Sequence, residues 1–194
     1  MSNLAYKYEG LTDDIRKEML DGKIVAMSPR PSSNHQIIAG NIHSIFKNFL
    51  KGKPCRVFMD GPDVHLTEKD RVVPDVFVVC NKDIINKNGI YGAPDLVAEV
   101  ISPGSAKKDK GYKKDLYEKC GVKEYWLVDA SSCLIEVYLL KNNKFELDNI
   151  YVIYPDYEIE LMTDEEVNEI VHEFNVATIP GLIMPLEEIF EGMV

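Results

Sequence analysis

The stretch "PDLVAEVIS", residues 94–102, is apolar enough to be a central strand, yet it carries a carboxylate, Glu99, between Ala98 and Val100. A buried carboxylate is costly unless it is paired, hydrogen-bonded or bound to a metal. Whatever fold the chain adopts must therefore bring Glu99 a partner. Strand side chains alternate between faces, so Asp95, Val97, Glu99 and Ile101 share one face while Leu96, Ala98 and Val100 share the other. A second strand, "VVPDVFVVC", repeats the anomaly, with Val73, Asp75, Phe77 and Val79 on one face. Taken singly, each acid reads best as a satisfied structural group. Two consecutive strands with the same feature are harder to explain that way.

A helix expected over about Lys107–Cys120 supplies the third group, with Gly121 as its left-handed stop. Lys113, Leu116, Tyr117 and Cys120 follow the i, i+3, i+4, i+7 spacing of an inward stripe. Lys113 can snorkel to solvent, or its ammonium can reach the carboxylates of the preceding strand. Asp75, Glu99 and Lys113 form a recognisable chemical set. Two nearby carboxylates repel unless a cation sits between them. Mg²⁺ takes one or two carboxylates plus waters and substrate phosphate. A lysine beside it can orient water or stabilise charge developing on the phosphate.

Around this set the chain reads as helices and strands mixed, with a strand–helix–strand crossover over 93–129, an α/β or α+β sheet flanked by helices. Thr12 caps a predicted helix over 13–20. A long helix runs from Ser32 or Ser33 to about Leu50, with Ile38, Ile42, Ile45, Phe46 and Phe49 facing inward and His35 in its first turn. From "KEYWLVD" onward an antiparallel meander is expected, with a further strand near Glu158–Met162. "TDEEVNEIVHEF" reads as a helix capped by Thr163 or as an acidic loop, and "LEEIF" as a closing helix. One domain over 1–194 is expected, with a core at about 23–140 and an acidic extension over 141–194.

The formal net charge of -10 argues against nucleic acid, but the acids are unevenly spread. Residues 141–194 hold 2 lysines and 13 acids, whereas Ser105–Lys123 holds seven lysines and three acids. A local basic surface matters more than the total, and Lys107, Lys108, Lys110 and Lys114 are the candidates for phosphate contacts. A solvated helix face is the plainer account of them. Cys55, Cys80, Cys120 and Cys133 form no C-x-x-C pair and read as reduced thiols of a cytoplasmic protein. No signal peptide or membrane-spanning run is evident.

Four blocks in order resemble the Uma-two family of bacterial restriction-endonuclease-like proteins, within the PD-(D/E)XK nuclease superfamily. They are "DGKIVAMSPRPSSNHQ", "VPDVFVV", "GAPDLVAEVISPGSAKKDKGYKKDLYEKCGVKEYWLVD" and "IPGLIMPLEEIF". The resemblance implies a restriction-endonuclease-like mixed sheet core with an antiparallel C-terminal extension. It implies Mg²⁺- or Mn²⁺-dependent hydrolysis of DNA, with Asp75 and Glu99 on the metal and Lys113 as the lysine. Ile101 stands two residues after Glu99, so the local D/E-X-K triplet is absent and the lysine comes from the next helix. His35 matches a histidine of the family's first long helix, where it orients a carboxylate, binds phosphate or caps and packs. Asp95 shares Glu99's face but ranks below the other acids, because four residues span about 13 Å of strand. Cutting both strands of a duplex suits a homodimer.

Two other readings stay open. A nuclease fold that no longer cuts would serve as a binding or regulatory module, as the acidic balance suggests. A serine nucleophile at Ser102 or Ser105 lacks a G-x-S-x-G elbow, and turn and helix capping accounts better for both. Tyr112 and Tyr117 read as core residues of the lysine-bearing helix. Asp60, Asp63 and Asp129 read as turn or strand-end acids.

Overall fold

The structure, a computed structural model, describes residues 17–27 and 31–194. β1 (Lys17–Leu20) and β2 (Lys23–Ala26) form a hairpin turned at Asp21–Gly22, both at positive φ, as two-residue turns between twisted strands require. The described part of the helix expected over 13–20 is therefore strand. Period-two burial replaces the helical stripe there, with Glu18 and Leu20 inward. Thr12 and residues 13–16 lie outside the described residues.

Helix α1 (Ser33–Phe49) follows, its first turn closed by the Ser32 hydroxyl accepting from the His35 N–H. Then come β3 (Arg56–Met59), β4 (Val64–His65), β5 (Arg71–Val72) and β6 (Val76–Val79). The strand expected to carry Asp75 in its interior is thus two strands. Pro74 has no N–H to give a ladder, so pairing lapses over 73–75 and Asp75 stands just before β6. The 81–92 connection holds a small hairpin, β7 (Ile85–Asn86) and β8 (Gly89–Tyr91).

β9 (Leu96–Ile101) leads into a continuous helical stretch: α2 (Ala106–Lys108), a π-helical segment (Asp109–Lys113) and α3 (Lys114–Cys120), closed by Gly121 at φ 87°. β10 (Glu124–Asp129), β11 (Leu134–Lys141) and β12 (Lys144–Val152) make the expected meander. The strand expected near Glu158–Met162 is instead α4 (Asp156–Ile159), where the Glu158 and Ile159 N–H groups turn back to the Pro155 carbonyl. α5 (Asp164–Asn168) is capped by Thr163 in a capping box with Glu166. β13 (Glu173–Asn175), β14 (Ile183–Pro185) and α6 (Leu186–Phe190) complete the chain.

The major sheet has the order β12-β11-β10-β9-β6-β3, parallel between β9 and β10 and antiparallel elsewhere. A second sheet, β2-β1-β5-β4-β8-β7, lies on one side of it. Leu96, Ala98, Val100 and Trp126 pack with Ile38, Ile42 and Phe46 of α1 and with Phe174, Met184 and Phe190 of the C-terminal segment. Val97, Phe77 and Leu127 pack on the other face with Tyr117, Tyr125 and residues of the second sheet. Burial on both faces explains why the central strands read as near-continuous apolar runs. The C-terminal stretch shares this core, and buried Glu124 ties it down by accepting from the N–H and hydroxyl of Thr178. Among the described residues no helix is long and apolar enough to cross a membrane.

The expectation of four free thiols fails. β3 pairs with β6 so that Arg56 faces Val79, which sets Cys55 opposite Cys80, and the two are joined in a disulfide. Cys120 and Cys133 are free. Alkylation of the denatured, unreduced protein is therefore expected to add two labels by mass, rising to four after reduction. Reduction should lower the unfolding free energy by about 3 kcal/mol in urea titrations.

Candidate active site

Glu99 is only 2% exposed. β6 and β9 pair antiparallel with Val76 facing Ala98, so continuing that register by one residue sets Asp75 opposite Glu99. The Val100 N–H donates to Asp75 Oδ2 at 2.8 Å, fixing the carboxylate beside the Glu99 strand. From the other face of the sheet, His35 Nε2 lies 3.1 Å from the same Oδ2, donating its proton to it. Both bonds fall on one oxygen of Asp75. Among the described residues, His35 Nδ1 is buried and meets no hydrogen-bonding group. The rim of the sheet, where pairing lapses at Pro74, is thus reached from both faces.

Lys113 comes from below this rim. The π-helical segment turns both Asp109 and Lys113 inward, four residues apart on one side. Such segments are frequent at functional sites. The Tyr125 hydroxyl holds the segment by donating to the Asp109 carbonyl at 3.0 Å. Lys113 Nζ lies 3.0 Å from Glu99 Oε1, 3.0 Å from Glu18 Oε1 and 3.6 Å from Asp109 Oδ1. One turn further along, the Tyr117 hydroxyl donates to Glu99 Oε1 at 2.7 Å. Glu18 Oε1 also accepts from the Val73 N–H at 3.2 Å.

Four carboxylates, Glu18, Asp75, Glu99 and Asp109, thus surround one lysine and one histidine. Burial pushes Glu99 well above the usual carboxylate range; Lys113 opposes this, while Asp75, Asp109 and Glu18 reinforce it. Asp109 is raised for the same reasons, burial first. Burial would lower Lys113, but the surrounding carboxylates outweigh it and hold the ammonium charged. Burial would likewise lower His35, and the bond from Asp75 overrides it. Among the described residues the cluster thus sets four carboxylates against one lysine and one histidine, and Glu99 and Asp109 hold their protons more tightly for it.

The structure brings Asp75, Glu99, Lys113 and His35 together. Asp95 is not among them: its Oδ2 accepts from the Cys80 N–H and its Oδ1 pairs with Lys123 at 2.6 Å. Lys107 is exposed and Lys108 half-buried. Lys110 is paired with Glu136 at 2.7 Å, and Lys114 lies 3.5 Å over the Tyr138 ring. Tyr117 is core, but Tyr112 is not: it is 41% exposed, with its hydroxyl bonded to Asp70. Ser102 and Ser105 bond each other across the turn after β9. Sequence reasoning missed Glu18 and Asp109. Asp109 was within reach, since it precedes Lys113 by four residues on the same stripe. Glu18 offered no signal while its segment read as helix.

These shifts set a pH dependence. With divalent cations chelated, a carboxyl raised on folding contributes stability that is whole below its unfolded value, 4.5 for Glu99, and is lost as pH rises through the folded value. Unfolding free energy should therefore fall as pH rises above about 5 in urea titrations, and Glu99→Gln should flatten that fall. Equal slopes in the two proteins would refute the assignment.

Residues 4–165 match the family described as "Putative restriction endonuclease", Uma2. Two cyanobacterial relatives from Synechocystis sp. are similar. The uncharacterized protein slr1290 is 30% identical over 125 residues, 63% of this chain and 65% of that one. The uncharacterized protein sll1609 is 24% identical over 127 residues, 63% of this chain and 71% of that one. The chain thus spans just under two thirds of the first relative's length. Among solved structures, a putative nuclease belonging to DUF820 from Anabaena variabilis superposes with a TM-score of 0.67 at 20% identity, covering 90% of this chain and 89% of that one. The mixed sheet flanked by helices is the restriction-endonuclease-like fold that the sequence predicts. The chain belongs to the Uma2 family.

Proposed function

We propose that the protein is a metal-dependent endonuclease that hydrolyses DNA phosphodiester bonds. The observation that carries this reading is that Asp75, bonded by the Val100 N–H at 2.8 Å, stands one residue beyond the β6–β9 ladder beside Glu99, with Lys113 Nζ 3.0 Å from Glu99. The donor set suits a hard divalent cation. It offers carboxylate oxygens, one at a partly exposed rim and one buried. Among the described residues no three or more His, Cys, Asp or Glu side chains are grouped so as to hold a metal ion by themselves. Mg²⁺ asks for no such cage, because it keeps several waters and takes only one or two carboxylates.

In this reading Asp75 and Glu99 hold Mg²⁺ or Mn²⁺. When bound, the ion polarises the phosphate and eases deprotonation of water. The chain's own groups do the rest. Lys113 stays protonated among its carboxylates and presents N–H donors for an attacking water or for charge gathering on the phosphate. His35 and the Val100 N–H keep Asp75 from turning away. Tyr117 fixes Glu99. Lys107 and Lys108 are the nearer candidates for backbone phosphates, since Lys110 and Lys114 are already engaged by Glu136 and Tyr138. The reading sets the protein's work in the cytoplasm, where its DNA substrate lies. It favours a homodimer, whose twofold axis would give one site to each strand.

Calorimetric titration with Mn²⁺ should reveal a site in the wild type that Asp75→Asn and Glu99→Gln each abolish. Plasmid cleavage in Mg²⁺ or Mn²⁺ should fall by about 10²-fold or more in both. Lys113→Met should lose cleavage on the order of 10²-fold while keeping the metal. A wild type that takes up no Mn²⁺, alone or with duplex, and cuts nothing overturns the reading in favour of a binding module.

A further inference from the structure

Glu18 is buried to 2% exposure on a strand of the second sheet, and two groups outside that sheet meet it. A buried carboxylate is retained only where its partners compensate its desolvation. Among the described residues two of these partners meet at one oxygen, Oε1. It faces Lys113 Nζ at 3.0 Å and accepts from the Val73 N–H at 3.2 Å. Val73 opens the Val73–Pro74–Asp75 link between β5 and β6, so the oxygen that holds the lysine also holds the backbone two residues from Asp75. Pro74 offers no N–H of its own, which leaves the Val73 N–H as an anchor for that segment.

The other two carboxylates around Lys113 differ in kind. Glu99 is a proposed metal ligand, and binding a cation would draw its charge away from the lysine. Asp109 stands further off, at 3.6 Å, on the lysine's own helical segment. Glu18 is thus the contact that fixes Lys113 from outside its own helix and remains when Glu99 turns to a metal. We propose, resting on the nuclease reading above, that Glu18 is a positioning residue for the reaction. It acts through Lys113 and the Val73 backbone, setting the distance between the lysine and the Asp75–Glu99 pair, and touches neither metal nor substrate.

The test compares wild type, Glu18→Gln, Glu18→Asp, Lys113→Met and the Glu18→Gln/Lys113→Met pair. Plasmid cleavage at varied plasmid concentration and Mn²⁺ calorimetry are read on proteins whose folding is checked by circular dichroism. Gln keeps an acceptor for Val73 but removes the charge facing Lys113. The expected result is a fall in kcat of about tenfold to a hundredfold in Glu18→Gln, with KM and the Mn²⁺ Kd within about threefold of wild type. In the Lys113→Met background the same change should have no further effect, because the two residues act as one unit. Glu18→Asp, with the charge kept but withdrawn, should fall between, and it carries the comparison if Glu18→Gln melts early. An active wild type with unimpaired Glu18→Gln, a loss confined to KM, or losses that simply multiply in the double variant overturns the inference alone. A wild type that neither binds Mn²⁺ nor cuts overturns the nuclease reading, and the inference with it.

Discussion

The pair Glu99–Lys113 ties the helix after β9 to the middle of the major sheet. A carboxylate in the middle of a strand buried on both faces must meet a cation or surrender its charge. Lys113 reaches it at 3.0 Å because the helix after β9 opens into a π-helical segment that aims Lys113 and Asp109 inward together. Several consequences follow. The crossover must bring that segment back under β9, and Tyr125 on the parallel neighbour strand must hold it. The second sheet must close over the lysine, which it does with Glu18 rather than with an apolar residue. Replacing such a cluster with well-packed hydrophobic groups is often neutral or stabilising, so its presence is poor evidence for a stability role. A chemical role accounts better for it.

Asp75 shows how the same economy works at the rim. Inside a strand it would have been buried and costly. Pro74 ends the ladder one residue early and leaves the carboxylate at the edge, still in register with Glu99. There it is reached by His35 from α1 on one face, while Lys113 approaches Glu99 from the other. The two faces of the sheet carry separate hydrophobic clusters, and groups from both meet at this rim. Moving α1 relative to the sheet would shift Asp75 without Lys113, and moving the crossover would do the reverse.

Facing arguments over six or seven residues made Glu99, Lys113 and Tyr117 legible in the sequence, because strand alternation and a helical stripe are local properties. The meander was legible for the same reason. What needed long-range register was not. The Cys55–Cys80 bridge depends on how β3 meets β6, and nothing within either strand announces it. Glu18 lay in a segment whose charges and leucine suit a helix as well as a strand. Only the hairpin at Asp21–Gly22 and the pairing with β5 decide between them. The strand expected near Glu158–Met162 rested on a short run with Ile159, Leu161 and Met162 alternating with acids, whereas Pro155, whose carbonyl takes the Glu158 and Ile159 N–H groups, starts a helical turn there.

The acidic C-terminal third appeared to weigh against a DNA substrate, and the topology answers part of that objection. β12, which carries Glu146 and Asp148, is three strands from β9 in the major sheet. At about 4.8 Å per strand that is about 14 Å, beyond the ~8 Å screening length at physiological salt. Lys141 lies 3.9 Å from Glu146 and 3.4 Å from Asp148, so part of the charge is met at the β11–β12 hairpin itself. The carboxylates that a phosphate would meet first are those of the site itself, Asp75 above all. Their excess charge is what a divalent cation would offset before DNA arrives. On the proposed nuclease reading, repulsion of the substrate and affinity for the metal would have one origin, and an approaching phosphate would meet an attractive site only with the cation in place.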